Sequence, residues 1–532
     1  MKRSFNPFDE IKGNRILNRR DFLQLATLGV TVLGTEGFPF SSIKADSPAT
    51  AFQTSSTFDP DVEIDLQATP ADVSLFPGQP TRVWTYQAAL LKGDSGSIET
   101  IAGSYLGPVI RVHQGQNIRI NFRNDLPEAS VIHWHGLRLS SEMDAHPRYL
   151  INPGQIYVYE FQVRNRAGTY WFHPHPDGRT GPQVYHGLAG LFLVSDDEES
   201  ATRLPSGEHD LPLVIQDRLF DGNHQLSYQT GGMMNGMDGF LGNQILVNGK
   251  PDYVLPVATR AYRLRLVNGS NSRVYKLAWS HGAPMAVIGT DGGLLEAPLW
   301  REYVMLAPGE RIEIVVDFQK FPVGSTMRLL SLGFSGAESG MMGGGASLTN
   351  GAPFTVMNVV VVRKEKVGKF AVPSTLSTIS RHRLEDAVNR DKPRTFSTSF
   401  NRMAWVLNGR RFAMNEVAEN EIVQLGTLEA WNLVNDAGSA RMMGMRMMHP
   451  IHIHGVQFQV IERQITPGFA SGWNTVRAGY VDEGWKDTVL LMPGERVKLL
   501  LKFEDYSGLF VYHCHNLEHE DAGMMRNFLI RA

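Results

Sequence analysis

Residues 118–125 read IRINFRND, in which apolar Ile118, Ile120 and Phe122 alternate with Arg119, Asn121 and Arg123. A period of two gives an extended strand one apolar and one polar face. The pattern returns at 262–270 (YRLRLVNGS) and 429–436 (EAWNLVND), each running into an Asn. Further along, each copy has a Pro-Gly turn that opens a second alternating strand. These are NPGQIYVYEFQV (152–163), APGERIEIVVDF (307–318) and MPGERVKLLLKF (492–503). ILVNG (245–249) and WVLNG (405–409) echo one another as well. Alternating strands between Gly/Pro turns predict a β-sandwich, and three copies predict three in a row. The fold class is therefore all-β, with units at about 52–200, 207–364 and 394–532. A charged linker at 365–393 has little periodicity. One short helix is expected around RLEDAVNR (383–390).

Bulk properties narrow the function classes. A chain of 532 residues exceeds one core. A formal charge of -3 offers no large basic field for nucleic acid. A single cysteine, Cys514, excludes an intramolecular disulfide and a covalent dimer once that thiol is engaged, so a monomer is expected. Near the N-terminus, NRRDFLQLATLGVTVLG carries Arg19 and Arg20, then Phe22, Leu23 and a modest apolar run. That run is too short to span a bilayer and reads as a twin-arginine export signal. Cleavage is expected after Ala45 or Ala51, which sets residues 1–51 apart from the fold and places the protein in the periplasm or otherwise outside the cytoplasm. No other stretch suits stable membrane insertion.

The histidines carry the chemistry. Ten of 17 fall in four short stretches: HWHG (His133, His135), HPH (His173, His175), HPIHIHG (His449, His452, His454) and HCHNLEH (His513, His515, His519). Two stretches lie in the first unit, two in the third, none in the second. Side chains two apart on a strand share a face, roughly 6–7 Å apart along the backbone. Each H-x-H thus offers one imidazole to each of two neighbouring metals. Cys514, between His513 and His515, points to the opposite face. His449, at an odd offset from His452, leaves the face of His452 and His454. Two sites follow. In one, Cys514 and His449 are completed by His519, with Met524 as a weak axial ligand, the donor set of a blue-copper centre. The other gathers eight histidines from two units, enough for three coppers. Structural zinc takes about four N/S ligands, often paired cysteines, and fits poorly. A copper nitrite reductase would need fewer histidines.

These motifs, above all HCHNLEHEDAGMM, resemble those of the multicopper oxidases: laccases, bilirubin oxidases and bacterial cuprous oxidases. The likeness covers essentially all of 55–532. It implies three cupredoxin-like Greek-key domains and four copper ions. Type 1 copper would take His449, Cys514, His519 and Met524, and type 2 would take His133 and His452. The type 3 pair would take His135, His173 and His515 on one ion, and His175, His454 and His513 on the other. It also implies four one-electron oxidations at type 1, coupled to reduction of dioxygen to two waters. Asp144 and Glu520 match proton-relay carboxylates of bacterial members; the alternative is solvated loop acids.

Substrate is less defined. Methionine-rich stretches occur at 231–239, 340–345 and 441–448, and thioethers are soft ligands for cuprous copper. Met447 matches a substrate-copper methionine of the cuprous oxidases, but Met445 stands where those enzymes carry an acid. Cuprous ion and phenolic or pigment reductants are both expected candidates. The alternatives are a laccase- or bilirubin-oxidase-like enzyme without a copper-homeostasis role, and a copper-binding or division-associated protein with no enzymatic role.

Overall fold

We describe the computed structural model of the chain over residues 57–228, 238–337, 348–401, 403–436 and 446–532. Residues 1–51, where the export signal is expected, together with Met445, all of 340–345 and most of 231–239, lie outside those residues. Six sheets occur among the described residues, in three consecutive pairs, and each pair encloses its own apolar cluster.

The sequence repeats pair with one another. In the first unit Val62–Val73 runs antiparallel to Thr81–Lys92 and parallel to Asn117–Asn124. Asn117–Asn124 then pairs antiparallel with Ile156–Gln162, the strand after the Pro-Gly turn. The second unit repeats this with Asp210–Arg218, Gln244–Val247, Ala261–Asn268 and Arg311–Asp317. The third does so with Arg394–Asn401, Ala404–Leu407, Leu428–Asn435 and Glu495–Lys502. The two Asn-Gly echoes are turns with left-handed backbone at both residues: Asn248 (φ 51) with Gly249 (φ 71), and Asn408 (φ 52) with Gly409 (φ 69). That conformation suits a tight hairpin, and Asn and Gly tolerate it best.

Alternation predicts burial well on Asn117–Asn124, where Ile118, Ile120 and Phe122 are wholly buried. Burying each such side chain stabilises the fold by about 1.5–3 kcal/mol. It fails on Ala261–Asn268, where every residue is buried. There the outward Arg263 and Arg265 are covered by the first unit. Arg265 is fixed by Asp210, Glu313 and Thr169, while Arg263 reaches Glu199 at 2.6 Å. The expected helix at 383–390 is not present; only Leu384–Asp386 forms a 3-10 turn. The segment is drawn instead against the neighbouring strand. Val388 N–H donates to the Leu428 carbonyl, and the Asn389 side chain pairs with both backbone groups of Ala430. No helix among the described residues is long and apolar enough to cross a membrane.

Candidate metal centre

Four short elements carry the histidines. Ile132–His135 and Gly168–Pro174 pair antiparallel in the first unit, with His133 opposite His173. His449–Ile453 and Gly508–Cys514 pair in the third, with His452 opposite His513 and Ile451 opposite Cys514. A chain neighbour of the histidines, pointing to the other face, is what sets each pair. Trp134 and Phe172 fill the first core, and Ile453 and Cys514 the third. A slip of one residue would exchange core side chains for imidazoles, so the apolar pattern holds the imidazoles on the outer face.

All eight imidazoles meet between the first and third units, none more than 1% exposed. His133 Nε2 lies 3.2 Å from His452 Nε2, and His135 Nδ1 lies 3.4 Å from His173 Nε2. His513 Nε2 lies 3.1 Å from His454 Nε2 and 3.3 Å from His175 Nε2. His515 stands beside His135 and His173, ring centroids 5.0 and 5.3 Å away.

The opposite ring nitrogens of six of the eight face acceptors. His133 Nδ1 donates to the Asp144 carbonyl at 3.0 Å, His452 Nδ1 to the Asp487 carbonyl at 2.8 Å, and His173 Nδ1 to the Pro174 carbonyl at 2.9 Å. His454 Nδ1 donates to Asp144 Oδ2 at 2.8 Å, and His513 Nδ1 to the Cys514 carbonyl at 3.2 Å. His135 is reversed: its Nε2 donates to Asp487 Oδ1 at 3.0 Å, which leaves Nδ1 facing inward. A neutral imidazole has one N–H. With that proton spent outward, the inward nitrogens of His133 and His452, of His135 and His173, and of His454 and His513 are bare lone pairs facing each other across little more than 3 Å. Lone pairs so placed repel unless a cation lies between them. Burial, with the neighbouring imidazoles, holds His133, His454, His513 and His515 well below the usual histidine pKa. It lowers His173 and His175 to about 3. Ligand histidines must be neutral, so the donor set fits copper or a similar cation that imidazole suits.

The second grouping lies on the other face of Gly508–Cys514. Cys514 Sγ is 3.5 Å from His449 Nδ1 and 3.7 Å from His519 Nδ1, and all three are wholly buried. His449 is thus turned away from His452 and His454, as its odd offset implies, despite Pro450. His519 is delivered by the short helix Leu517–Asp521, capped by the Asn516 side chain. Met524 is wholly buried; its N–H donates to the His519 carbonyl and its carbonyl accepts from Cys514 N–H. Trp405 packs against both rings, 4.7 Å from His449 and 5.8 Å from His519. Burial pushes the Cys514 thiol well up. A bound cation reverses that, because a coordinating thiol is deprotonated outright. His449 Nε2 has no hydrogen-bond partner among the described residues.

Asp144 and Glu520 flank the histidine cluster and are nearly inaccessible, which excludes solvated loop acids. Asp144 Oδ1 lies 3.6 Å from His133 Nδ1 and has no hydrogen-bond partner among the described residues. Glu520 Oε2 lies 2.9 Å from His513 Nδ1 and Oε1 lies 3.4 Å from His175 Nε2, neither aligned for a hydrogen bond. Burial raises both carboxyls, Asp144 the more strongly. Met447 is packed in the third core, 8% exposed. Sequence reasoning missed Asp487, Thr488 and Gly309, which touch the imidazoles, and Arg311, which holds Asp487. For Gly309 and Arg311 the one signal was the Pro-Gly turn at 307–318, read there only as a strand boundary.

A fold of three sandwiches, a buried Cys–His–His grouping and a shared cage of eight imidazoles define a copper-dependent oxidoreductase. The multicopper oxidase profile matches residues 83–199, 210–333 and 385–532. The chain is 30% identical over 450 residues to the multicopper oxidase mco of Staphylococcus aureus, covering 83% of this chain and 88% of that one. It is 31% identical to the bilirubin oxidase of Albifimbria verrucaria over 84% of this chain and 76% of that one. The crystal structure of the McoA multicopper oxidase of Aquifex aeolicus superposes with a TM-score of 0.74 at 33% identity, covering 89% of this chain and 97% of that one. The chain belongs to the multicopper oxidase family, with the three cupredoxin-like β-sandwich domains of its structural neighbours.

Proposed function

We propose that the protein oxidises a small reductant one electron at a time at the Cys514 site and passes the electrons to dioxygen at the histidine cluster. One observation carries this reading: Cys514 faces His449 and His519 while its chain neighbours His513 and His515 stand in the other cluster. His449, Cys514, His519 and Met524 would hold one copper; His133 and His452 a second; His135, His173, His515 and His175, His454, His513 a pair. Bound copper would supply one-electron redox chemistry and dioxygen binding there. The chain's own part is to bind, insulate and handle protons. The Cys514 backbone gives a short bonded route between the sites. Asp144 Oδ1 and the Glu520 carboxyl, buried beside the imidazoles, are placed to hold the protons that water formation consumes.

For the reductant we favour cuprous ion, with small phenols also accepted. Support comes from the methionine-rich stretches and from Met447, a soft thioether two residues before His449. The Arg19–Arg20 motif supports export by the twin-arginine machinery as a folded monomer. The test is oxygen uptake by copper-loaded protein, supplied with cuprous ion or a bulky phenol. Uptake with cuprous ion that falls in Met447→Ser, while phenol oxidation holds, supports the reading. No uptake with any reductant removes the oxidase assignment. Uptake with phenol alone leaves the enzyme and removes the metal substrate.

A further inference from the structure

The middle unit has no histidine in the cage, yet its Pro-Gly turn enters it. Gly309, with φ 84, lies so close that a Cβ there would sit 2.8 Å from the His515 ring and 3.1 Å from His135. Two residues on, the wholly buried Arg311 spends all five of its N–H donors. Nε donates to the Thr169 carbonyl of the first unit at 3.0 Å. Nη1 donates to the Gly309 carbonyl at 2.7 Å and to Asp487 Oδ1 at 2.8 Å. Nη2 donates to the Asp291 carbonyl at 2.9 Å and, very closely, to Asp487 Oδ2. Asp487, from the third unit and equally buried, holds two stacked imidazoles. Its carboxylate takes His135 Nε2–H and its carbonyl takes His452 Nδ1–H, the rings 3.8 Å apart and 13° from parallel. Thr488 Oγ also donates to Asp487 Oδ1 at 2.9 Å.

We propose that Arg311 and Asp487 are positioning residues through which the middle unit selects the ligand nitrogen of His135. The proposal rests on the copper reading above. A carboxylate can only accept, so Asp487 forces the His135 proton onto Nε2 and presents Nδ1 to the cage. The bidentate guanidinium leaves the carboxylate one orientation. Lysine keeps the charge but has no fork, and would not hold it. In Asp487→Asn, Arg311 would draw the amide oxygen to itself and turn the NH2 toward His135. Nε2 must then accept, and the proton moves to Nδ1, into the cage. Outer ligands of this kind typically change metal affinity by about 10–100-fold.

The test begins with nitrogen-15 histidine NMR of the metal-free full chain, its His135 signal assigned with His135→Gln. We expect Nε2 protonated and Nδ1 bare in the native chain, and the reverse in Asp487→Asn. Copper titration should then show one site of the histidine cluster weakened about 10–100-fold in Asp487→Asn and in Arg311→Lys. The blue Cys514 band should persist in Arg311→Lys, although the melting midpoint should fall because buried acceptors lose their donors. A native His135 protonated at Nδ1, or unchanged copper affinity in both variants, overturns the proposal. Should Asp487→Asn not fold, the native tautomer and Arg311→Lys still decide. A native chain that binds no copper in the cage defeats the copper reading instead, while its tautomer still reports on Asp487.

Discussion

The cysteine grouping and the histidine cage share one strand, yet they are built differently. Cys514, His449, His519 and Met524 all come from the third unit, and their core neighbours are that unit's own apolar side chains. The cage draws four imidazoles from each of two units and its outer support from all three. The ligands of the first site come from one unit, although the helix that carries His519 is tied through Glu518 and Asp521 to the other two; the second site needs three units docked. The two sites thus meet different requirements: a buried cysteine pocket whose ligands come from one unit, and a dry chamber walled by all three.

The largest expected break is Cys514→Ser. It should abolish blue absorption and oxidase turnover yet leave copper binding by the cage, seen by metal analysis and electron paramagnetic resonance. Next is Asp144→Asn. Oxygen turnover should fall about 10²–10⁴-fold with the blue colour intact, because the group acts on protons at the cage and not at Cys514. Unchanged turnover would remove Asp144 from the mechanism.

Smaller effects sharpen the contrast. Gly309 and Gly494 occupy equivalent Pro-Gly turns with φ 84 and 74. Alanine at either costs about 1–3 kcal/mol of backbone strain. Only Gly309→Ala meets the imidazoles, whereas at 494 the added methyl meets Phe469. Thermal melting should register both, but copper content of the cage should drop only in Gly309→Ala. The gentlest lever is acid. Burial pushes Asp210 and Glu313 up, but Arg265 and Arg263 outweigh it and hold both below their ordinary values of 3.8 and 4.5. Their contribution is complete above those values and is lost as pH falls through the lower folded ones. Scanning calorimetry should therefore show the melting midpoint declining below about pH 4.5. A midpoint flat to lower pH would mean this ionic cluster contributes nothing to stability.

What could be read from sequence was whatever is local to a strand. Alternation places His133 with His135 and sets Cys514 against His513, because the period of two is a property of the backbone. What could not be read depends on docking. Arg311 and Asp487 are 176 residues apart, and no periodicity links them. Arg263 and Arg265 carry the polar signature of a solvent face, yet an adjoining unit covers them. RLEDAVNR has a helical composition, but backbone pairing with Leu428 and Ala430 wins over it.

The most direct measurement is anomalous diffraction at the copper edge from crystals of the copper-loaded protein. The account predicts one peak among Cys514, His449 and His519 and three within the eight imidazoles. No peak beside Cys514, or a single ion in the cage, would contradict it.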